Sequence, residues 1–569
     1  MAFDPANILS ALLAKGYFPK ELPLVFTTTD FGRDVGEILG EWGAQKVYQI
    51  DAKSAGKIAG KSKSGSYLYD VPFAELEVMS KPKRGYERRD IHITHPIPQA
   101  LLARELCENW PAVQKWLSRR RFSEDEIAIS SAYDRSVKGI NFPMHRAKKS
   151  YLTATSDWIV KTDITRFYPS IYTHSIAWAA YGKEPVKAGL KKYKGSLADR
   201  LDILVRATNR NQTVGIPIGP ETSRIIAEVI SARIDDDFSI RNPSLDRSSI
   251  DRLQDDWLIG VSSLEKAEHA LSSISSIYRS YNLEINGSKT AIERLIAQSE
   301  DRWLSELNSF LSHGSSSLSG ARLREFLTLC LRLQTENMNE PVMNYALAVV
   351  EAKRYSSADV ELLESFLLKA AVISPISLAS ICRIFLNFEV KSGSVSKTRI
   401  RDRFTILAER SLERGHHFEV IWLLYTLRGL KTQLVSKRIS EMIPETQSSA
   451  IALLLLDMKE KGLCKCSLPI GKWEGEISED RILGDWSWLR TYEGIRHGWL
   501  SEKNNVKAHP FFKPMFDRDI VFYDPKKNIE TSRKVRKVRS LNRLEDKKDV
   551  LDFIKLIRGP NILGEISDY

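Results

Sequence analysis

The spacing of apolar residues changes at about residue 296, and that change limits the chain to an architecture of two unlike halves. Between 150 and 295, short strand-like runs (WIVKTDI, DRLQDDWLIGV) alternate with amphipathic helical stretches (PETSRIIAEVISARI, SLEKAEHALSSISSIYRSYN). Strands interleaved with helices predict an α/β or α+β sheet domain. Beyond 296, the segments RLREFLTLCLRLQ, SPISLASICRIFLNF, FEVIWLLYTLRGL and SSAIALLLLDMKEKG place apolar residues at helical spacing, separated by short polar breaks. They predict a stacked α-helical array. A chain of 569 residues is also too long for a single hydrophobic core. The expected domains are therefore 1–295 and 296–569.

Residues 1–150 mix helical and irregular stretches and carry two basic segments. Lys53–Lys63 (KSAGKIAGKSK), rich in Gly and Ser, reads as a mobile loop. Lys81–Arg89 (KPKRGYERR) precedes IHITHPI, which alternates as a strand does. The net charge of +12 favours a polyanionic partner, because lysines and arginines that neutralise phosphates release counterions. The stretch 525–548 is strongly basic and suits either a solvated helix face or a nucleic-acid contact. With 43% hydrophobic and 27% charged residues, the composition is that of a soluble globular protein.

Five cysteines, sparse and odd in number, fit a reduced cytoplasmic chain. Cys464 and Cys466 form a C-x-C with no second pair and no nearby histidine, which argues against zinc. The N-terminus lacks the basic start of a signal peptide. The apolar run 451–456 is far short of the ~20 residues that cross a bilayer. A cytoplasmic protein with no membrane partner is the expectation.

Three segments carry candidate chemistry. In VKTDITRFYPSIYTH, an apolar strand ends at Asp163, where a carboxylate can hold a divalent metal over a sheet edge; alone, such an aspartate more often caps a helix. In IDRLQDDWLIGV, two apolar arms flank Gln254-Asp255-Asp256, predicting a β-hairpin with adjacent carboxylates at its tip. The triplet Asp235-Asp236-Asp237, at the end of an amphipathic helix, serves as a control and reads as surface. The segment GIPIGPETS (215–223) enters a helix that begins near Glu221 and is capped by Thr222 or Ser223. Clustered carboxylates suit phosphoryl transfer: two divalent ions about 3.5–4 Å apart bind the attacking hydroxyl and the leaving pyrophosphate. Magnesium needs only two or three carboxylates besides substrate phosphates.

In combination these segments resemble the palm of reverse transcriptases. VKTDITRFYPSIYTH is similar to motif A, GIPIGPETSRIIAE to motif B, LQDD to the Y-x-D-D box of motif C, and EINGSKT to motif D. The resemblance implies that Asp163, Asp255 and Asp256 are catalytic and hold Mg2+, or Mn2+, in a two-metal site. It implies nucleotide-binding roles for Ile164, Tyr168, Gly219, Lys289 and Arg89. Tyr168 falls where the sugar 2′ carbon is tested, Lys289 where the leaving pyrophosphate is protonated or neutralised, and Arg88 and Arg89 where fingers residues contact triphosphate. Leu253 replaces the usual Tyr and Ile218 the usual Gln, departures that count against ordinary templated copying.

The termini, GYFPKELP and WSWLRTYEGIRHGWL with DRDIVFYD, resemble those of the bacterial abortive-infection (Abi) reverse transcriptase family, the AbiK-like proteins and their prophage-encoded relatives. Membership implies reverse-transcriptase fingers and palm followed by an all-α, HEAT-like helical-repeat half in place of a thumb. It implies a phage-defence DNA polymerase that adds dNTPs without a template from a protein tyrosine. The single-stranded DNA product stays attached to that tyrosine, and the protein forms a homo-oligomer. Which of the nineteen tyrosines primes is not legible. Two alternatives remain: an RNA-templated reverse transcriptase with a non-coding RNA partner, and a non-catalytic scaffold that binds nucleic acid. Among minor candidates, His92 and His95 are expected on opposite faces of one strand, and Trp473, Trp486 and Trp488 in packing rather than base stacking.

Overall fold

A computed structural model describes residues 4–50, 69–83, 87–295, 302–312, 318–338, 340–353, 355–392, 395–478 and 482–527. The basic segment 53–63 and nearly all of 525–548 lie outside the described residues, as does the tail to Tyr569. The fold is mixed α+β with a helical C-terminal region. Among the described residues, no helix is long and apolar enough to cross a membrane.

Two small antiparallel pairs come first. β1 (Gln49–Ile50) pairs with β2 (Tyr69–Asp70), and β3 (Glu77–Pro82) with β4 (Arg88–Ile93). The principal sheet contains β5 (Trp158–Thr162), β6 (Ile250–Leu253), β7 (Asp256–Val261) and β8 (Ala291–Arg294), in the order β6-β7-β5-β8, all antiparallel. β-branched and aromatic residues (Ile159, Val160, Trp257, Ile259, Val261) fill its interior positions, as expected where a pleated surface packs under helices. The helix Leu264–Ser280, capped by the Ser263 hydroxyl accepting from the Lys266 amide, packs on β5 and β7. Gly260 admits a second helix, Phe142–Ala154: a Cβ at 260 would lie 2.6 Å from Leu152 Cδ2.

The helix Glu221–Arg241 departs from expectation in three ways. It is buried around most of its surface rather than amphipathic, because it is wedged between several elements of the first half. Its cap position is Pro220, with no side-chain cap; Thr222 lies inside the first turn, where its hydroxyl accepts from Gln99 Nε2 at 3.0 Å. The acidic triplet lies within the helix, not at its end, and Asp235 is fully buried against Arg252. A carboxylate with an arginine waiting in the core does not have to face water.

The C-terminal region is helical and contains an inner row of packed helices. The pairs Gly320–Glu336/Val342–Glu351, Ser357–Ile373/Leu378–Ser392, Lys397–Glu413/His417–Gly429 and Lys437–Met442/Ser449–Glu460 follow one another, and the second members pack in sequence. That inner row meets the first half: Trp422 Nε1 donates to the Glu21 carbonyl at 2.9 Å, and Arg88 on β4 is bidentate to Glu419, both bonds 2.8 Å. The segment 482–527 then returns to the N-terminal residues. Thr27 N donates to Phe522 O at 2.9 Å, Trp42 Nε1 to Phe511 O at 2.9 Å, and the Phe18 and Phe522 ring centroids are 5.9 Å apart.

A buried ion cluster sits at the edge of the principal sheet. The Nδ1 of His145 lies 3.0 Å from Asp251 on β6 and its Nε2 3.4 Å from Asp125, while Lys148 bonds Glu124 and stands 3.9 Å from Asp251. Burial disfavours the charged imidazole, but the hydrogen bonds and charges of Asp125 and Asp251 outweigh it and raise its pKa to about 9. A histidine pKa raised on folding contributes stability that is complete below about pH 6.5 and lost as pH climbs through about 9. The urea midpoint should therefore fall between pH 6.5 and 9.5 in the wild type. In His145→Gln that part of the fall should vanish; an identical pH profile in the variant would remove the cluster from the account.

Candidate active site

The register of the principal sheet decides the geometry. Thr162 pairs with Trp257, and Leu253 with Asp256 across the β6–β7 turn. Continued by one residue, the β5–β7 register sets Asp163 opposite Asp256. The turn residues are Gln254 and Asp255, and Gln254 takes the left-handed conformation at φ 58°. Two strands ending side by side thus deliver Asp163, Asp255 and Asp256 to one corner of the sheet.

The loop before β8 closes that corner. Its backbone is tied to the end of β5: Asn286 N donates to Asp163 O at 2.8 Å, Thr165 N to Glu284 O at 2.8 Å, and Ile164 bridges Ile285. Lys289, following the turn at 286, sets its ammonium on Asp163 Oδ2. Asp163 is buried, Asp255 half-buried and Asp256 exposed.

The electrostatics are those of crowded carboxylates. Burial, the neighbouring Asp256 charge and the hydrogen bond that a protonated Asp255 donates to Asp163 push the Asp255 carboxyl well above the ordinary carboxylate range. Burial works against the Lys289 charge, but Asp163, Asp256 and Asp255 outweigh it and raise its pKa. Among the described residues, no group of three or more His, Cys, Asp or Glu side chains already forms a metal cage. The donor set nonetheless suits a hard divalent cation. The Asp163 and Asp255 carboxylates meet at one end of the sheet, and positive charge held beside them would relieve the crowding that raises Asp255.

The remaining sequence candidates divide into two groups. Tyr168, on the short helix Phe167–Ser170, is half-buried; burial raises its pKa, and Asp255 and Arg224 are among the charges its hydroxyl senses. Its carbonyl accepts from Ile216 N at 3.0 Å, which holds the 215–216 backbone beside it. Ile164 is buried in the bridge to Ile285, so its side chain is a packing element. Gly219, at φ 137°, is explained by close packing: a Cβ there would lie 2.8 Å from Pro19 Cγ and 3.0 Å from the His92 carbonyl. Arg89 is exposed on β4, whereas Arg88 is committed to Glu419 and the Ser80 hydroxyl.

Histidines 92 and 95 correct a second expectation. His92 is on β4, where its Nδ1 accepts from Ile218 N at 3.0 Å and its amide donates to Ile218 O at 2.8 Å. His95 lies beyond the strand as the cap of the helix Pro96–Glu108. Burial lowers their pKa values to about 4 and about 3, so both are neutral packing residues. Trp473 and Trp488 are buried, and the Arg490 guanidinium lies over the Trp473 and Trp486 rings at 5.4 and 5.3 Å.

Sequence reasoning missed Arg252, a fully buried arginine on β6 one residue before the hairpin-tip arm ends. The available signal was a charged residue inside an apolar arm, one residue short of the turn.

No protein-family model matches the chain, and no curated protein matches it either. Among solved structures, telomerase from Candida albicans in complex with a fragment of telomeric RNA is similar over 77% of this chain and 73% of that chain, at 11% identity. Its TM-score is 0.24, and at that value the likeness carries no argument.

Proposed function

We propose that this chain is a nucleotidyltransferase of the reverse-transcriptase type, with fingers and palm in residues 1–295 and a HEAT-like helical half in 296–569. In this reading it belongs with the abortive-infection polymerases and adds dNTPs, without a template, to a tyrosine hydroxyl of the protein. The observation that carries the reading is the meeting of Asp163, at the end of β5, with the Asp255–Asp256 hairpin tip and the Lys289 ammonium.

Asp163 and Asp255 would hold Mg2+, with Asp256 at the exposed rim. When bound, the two ions would supply charge neutralisation at the attacking and leaving oxygens. The chain's own residues do the rest. Lys289, a donor at Asp163 Oδ2, would balance charge on departing pyrophosphate as the new bond to the α-phosphorus forms. Tyr168, whose carbonyl holds the 215–216 backbone, would be the aromatic side chain that tests the sugar. The tyrosines whose side chains are described are all buried or half-buried. Tyr17 is excluded as a primer, since its hydroxyl is buried and donates to the Thr94 carbonyl at 2.6 Å. In this reading the growing strand is single-stranded DNA and the assembly is homo-oligomeric.

The deciding experiment supplies purified protein with labelled dNTPs and Mg2+, but no template or primer, followed by denaturing electrophoresis. Label that migrates with the protein and is freed as DNA by protease supports the reading. Incorporation only after RNA and a primer are added overturns it in favour of templated synthesis. Tyr168→Ala should relax the preference for dNTPs over rNTPs about tenfold or more, since removing a clash removes discrimination. An unchanged ratio of kcat/KM values for dATP and ATP would take Tyr168 out of sugar selection.

A further inference from the structure

We propose that Arg252 is a positioning residue whose guanidinium clamps the Gln254 carbonyl to the helix Glu221–Arg241, thereby fixing the turn that presents Asp255. The inference rests on the polymerase reading for the purpose of that turn, but its geometry stands without it.

All five N–H donors of the guanidinium are engaged. Nε donates to Asp235 Oδ1 at 2.6 Å. One terminal nitrogen donates to Asp235 Oδ2 at 3.0 Å and Glu228 Oε1 at 2.7 Å; the other donates to Glu228 Oε2 at 3.2 Å and the Gln254 carbonyl at 2.8 Å. Asp235 is itself anchored, since it accepts from the backbone amides of Arg121 at 3.0 Å and Phe122 at 3.3 Å. The clamp is therefore a rigid path from one helix to one turn carbonyl.

That carbonyl belongs to a residue that needs restraint. Gln254 sits at φ 58°, a conformation disfavoured for a residue with a Cβ and maintained only when its surroundings over-determine it. If ion pairing were the whole purpose, well-packed apolar side chains would serve as well, because a buried pair recovers little beyond its desolvation cost. What apolar residues cannot supply is a donor aimed at Gln254 O. Lysine cannot supply the full set either, as a point charge lacks the planar fork.

The test must separate positioning from folding. Arg252→Met alone strands Glu228 and Asp235 as buried unpaired charges, so the primary variant is the neutral triple Arg252→Met/Asp235→Asn/Glu228→Gln. Arg252→Lys, which retains a buried cation, is the second. Full-length proteins are compared by thermal melting, by Mn2+ binding read by electron paramagnetic resonance against an Asp163→Ala blank, and by hydrogen–deuterium exchange of the 250–258 peptide.

The triple variant should melt with the wild type, yet bind Mn2+ about tenfold more weakly and exchange its hairpin-tip amides about tenfold faster, the scale of loss when residues orienting metal ligands are removed. Its KM for dNTPs should stay level while kcat falls. Arg252→Lys should move both readouts in the same direction. Unchanged Mn2+ affinity and unchanged exchange across 250–258 would overturn the inference. A wild type that binds Mn2+ at Asp163 but incorporates no dNTP would remove the polymerase reading and leave positioning to be judged on the binding and exchange data.

Discussion

Asp163→Ala should abolish dNTP incorporation, lowering the rate by about a thousandfold or more, while leaving the chain folded. The size follows from what the site lacks without it. Asp163 would hold the divalent ions that supply charge neutralisation at the attacking and leaving oxygens, and single preorganised groups that stabilise such charge are worth about 10²–10³ in kcat. Asp163 also accepts the Lys289 ammonium, so its loss frees the lysine from the position where it would meet pyrophosphate. Folding should survive, because the backbone of 163 keeps its bond from Asn286 N and alanine fits the end of β5 without strain. The check is the untemplated incorporation assay, with circular dichroism and melting as controls. Residual synthesis within tenfold of wild type would place the chemistry elsewhere.

The same variant separates the functional classes. A nucleic-acid-binding scaffold would bind DNA equally well with or without Asp163, whereas a polymerase would lose product and any phage protection that depends on product. Asp255→Asn should be nearly as severe, for a related reason: Asp255 is the carboxylate whose pKa burial and then like charges raise, and an amide cannot recover a metal-binding anion. Protection that persists in both variants would contradict an enzymatic account.

How much of this site was legible beforehand depended on whether the information was local. The two strands and the tip between them are legible as apolar arms flanking Gln254-Asp255-Asp256, and the fold delivers that hairpin. The helical half was equally legible, since its apolar spacing is local to each helix. Asp235 was misread as surface because its environment is set by Arg252, which comes from a different strand and is brought there only by tertiary structure. At Gly219 the need for glycine comes from Pro19 and His92, which approach from distant sequence and leave no space for a Cβ. Nor does any pattern in the helical half announce that 518–527 returns to the N-terminal residues. Turn chemistry and periodicity are readable along the chain; charge pairing across it is not.

That return creates the largest expected stability effect, at Asp457. This carboxylate, almost wholly buried on the helix Ser449–Glu460, accepts from Arg428 Nε, from Lys461 Nζ and, at 2.7 Å, from the Tyr523 hydroxyl. Arg428 also reaches the Pro525 carbonyl, and the Tyr523 ring lies 5.2 Å from Phe26. One side chain therefore joins two neighbouring helices to the returning segment and, through it, to the N-terminal residues. Asp457→Ala leaves the buried Arg428 charge without its counter-ion and Tyr523 without an acceptor, a combination that costs about 3–5 kcal/mol. Asp457→Asn should cost less, since the amide oxygen still accepts from Tyr523 while the charge pairing is lost. The measurement is the urea midpoint by Trp fluorescence, with Asp457→Ala expected lowest, Asp457→Asn intermediate and Lys461→Ala close to wild type, because Lys461 is partly exposed and screened. A wild-type midpoint in Asp457→Ala would mean that Arg428 finds compensation in the Pro525 carbonyl, and the tie between the ends of the chain would then rest on the hydrogen bonds of Thr27 and Trp42 and the aromatic contacts of Phe18, Phe26 and Phe522.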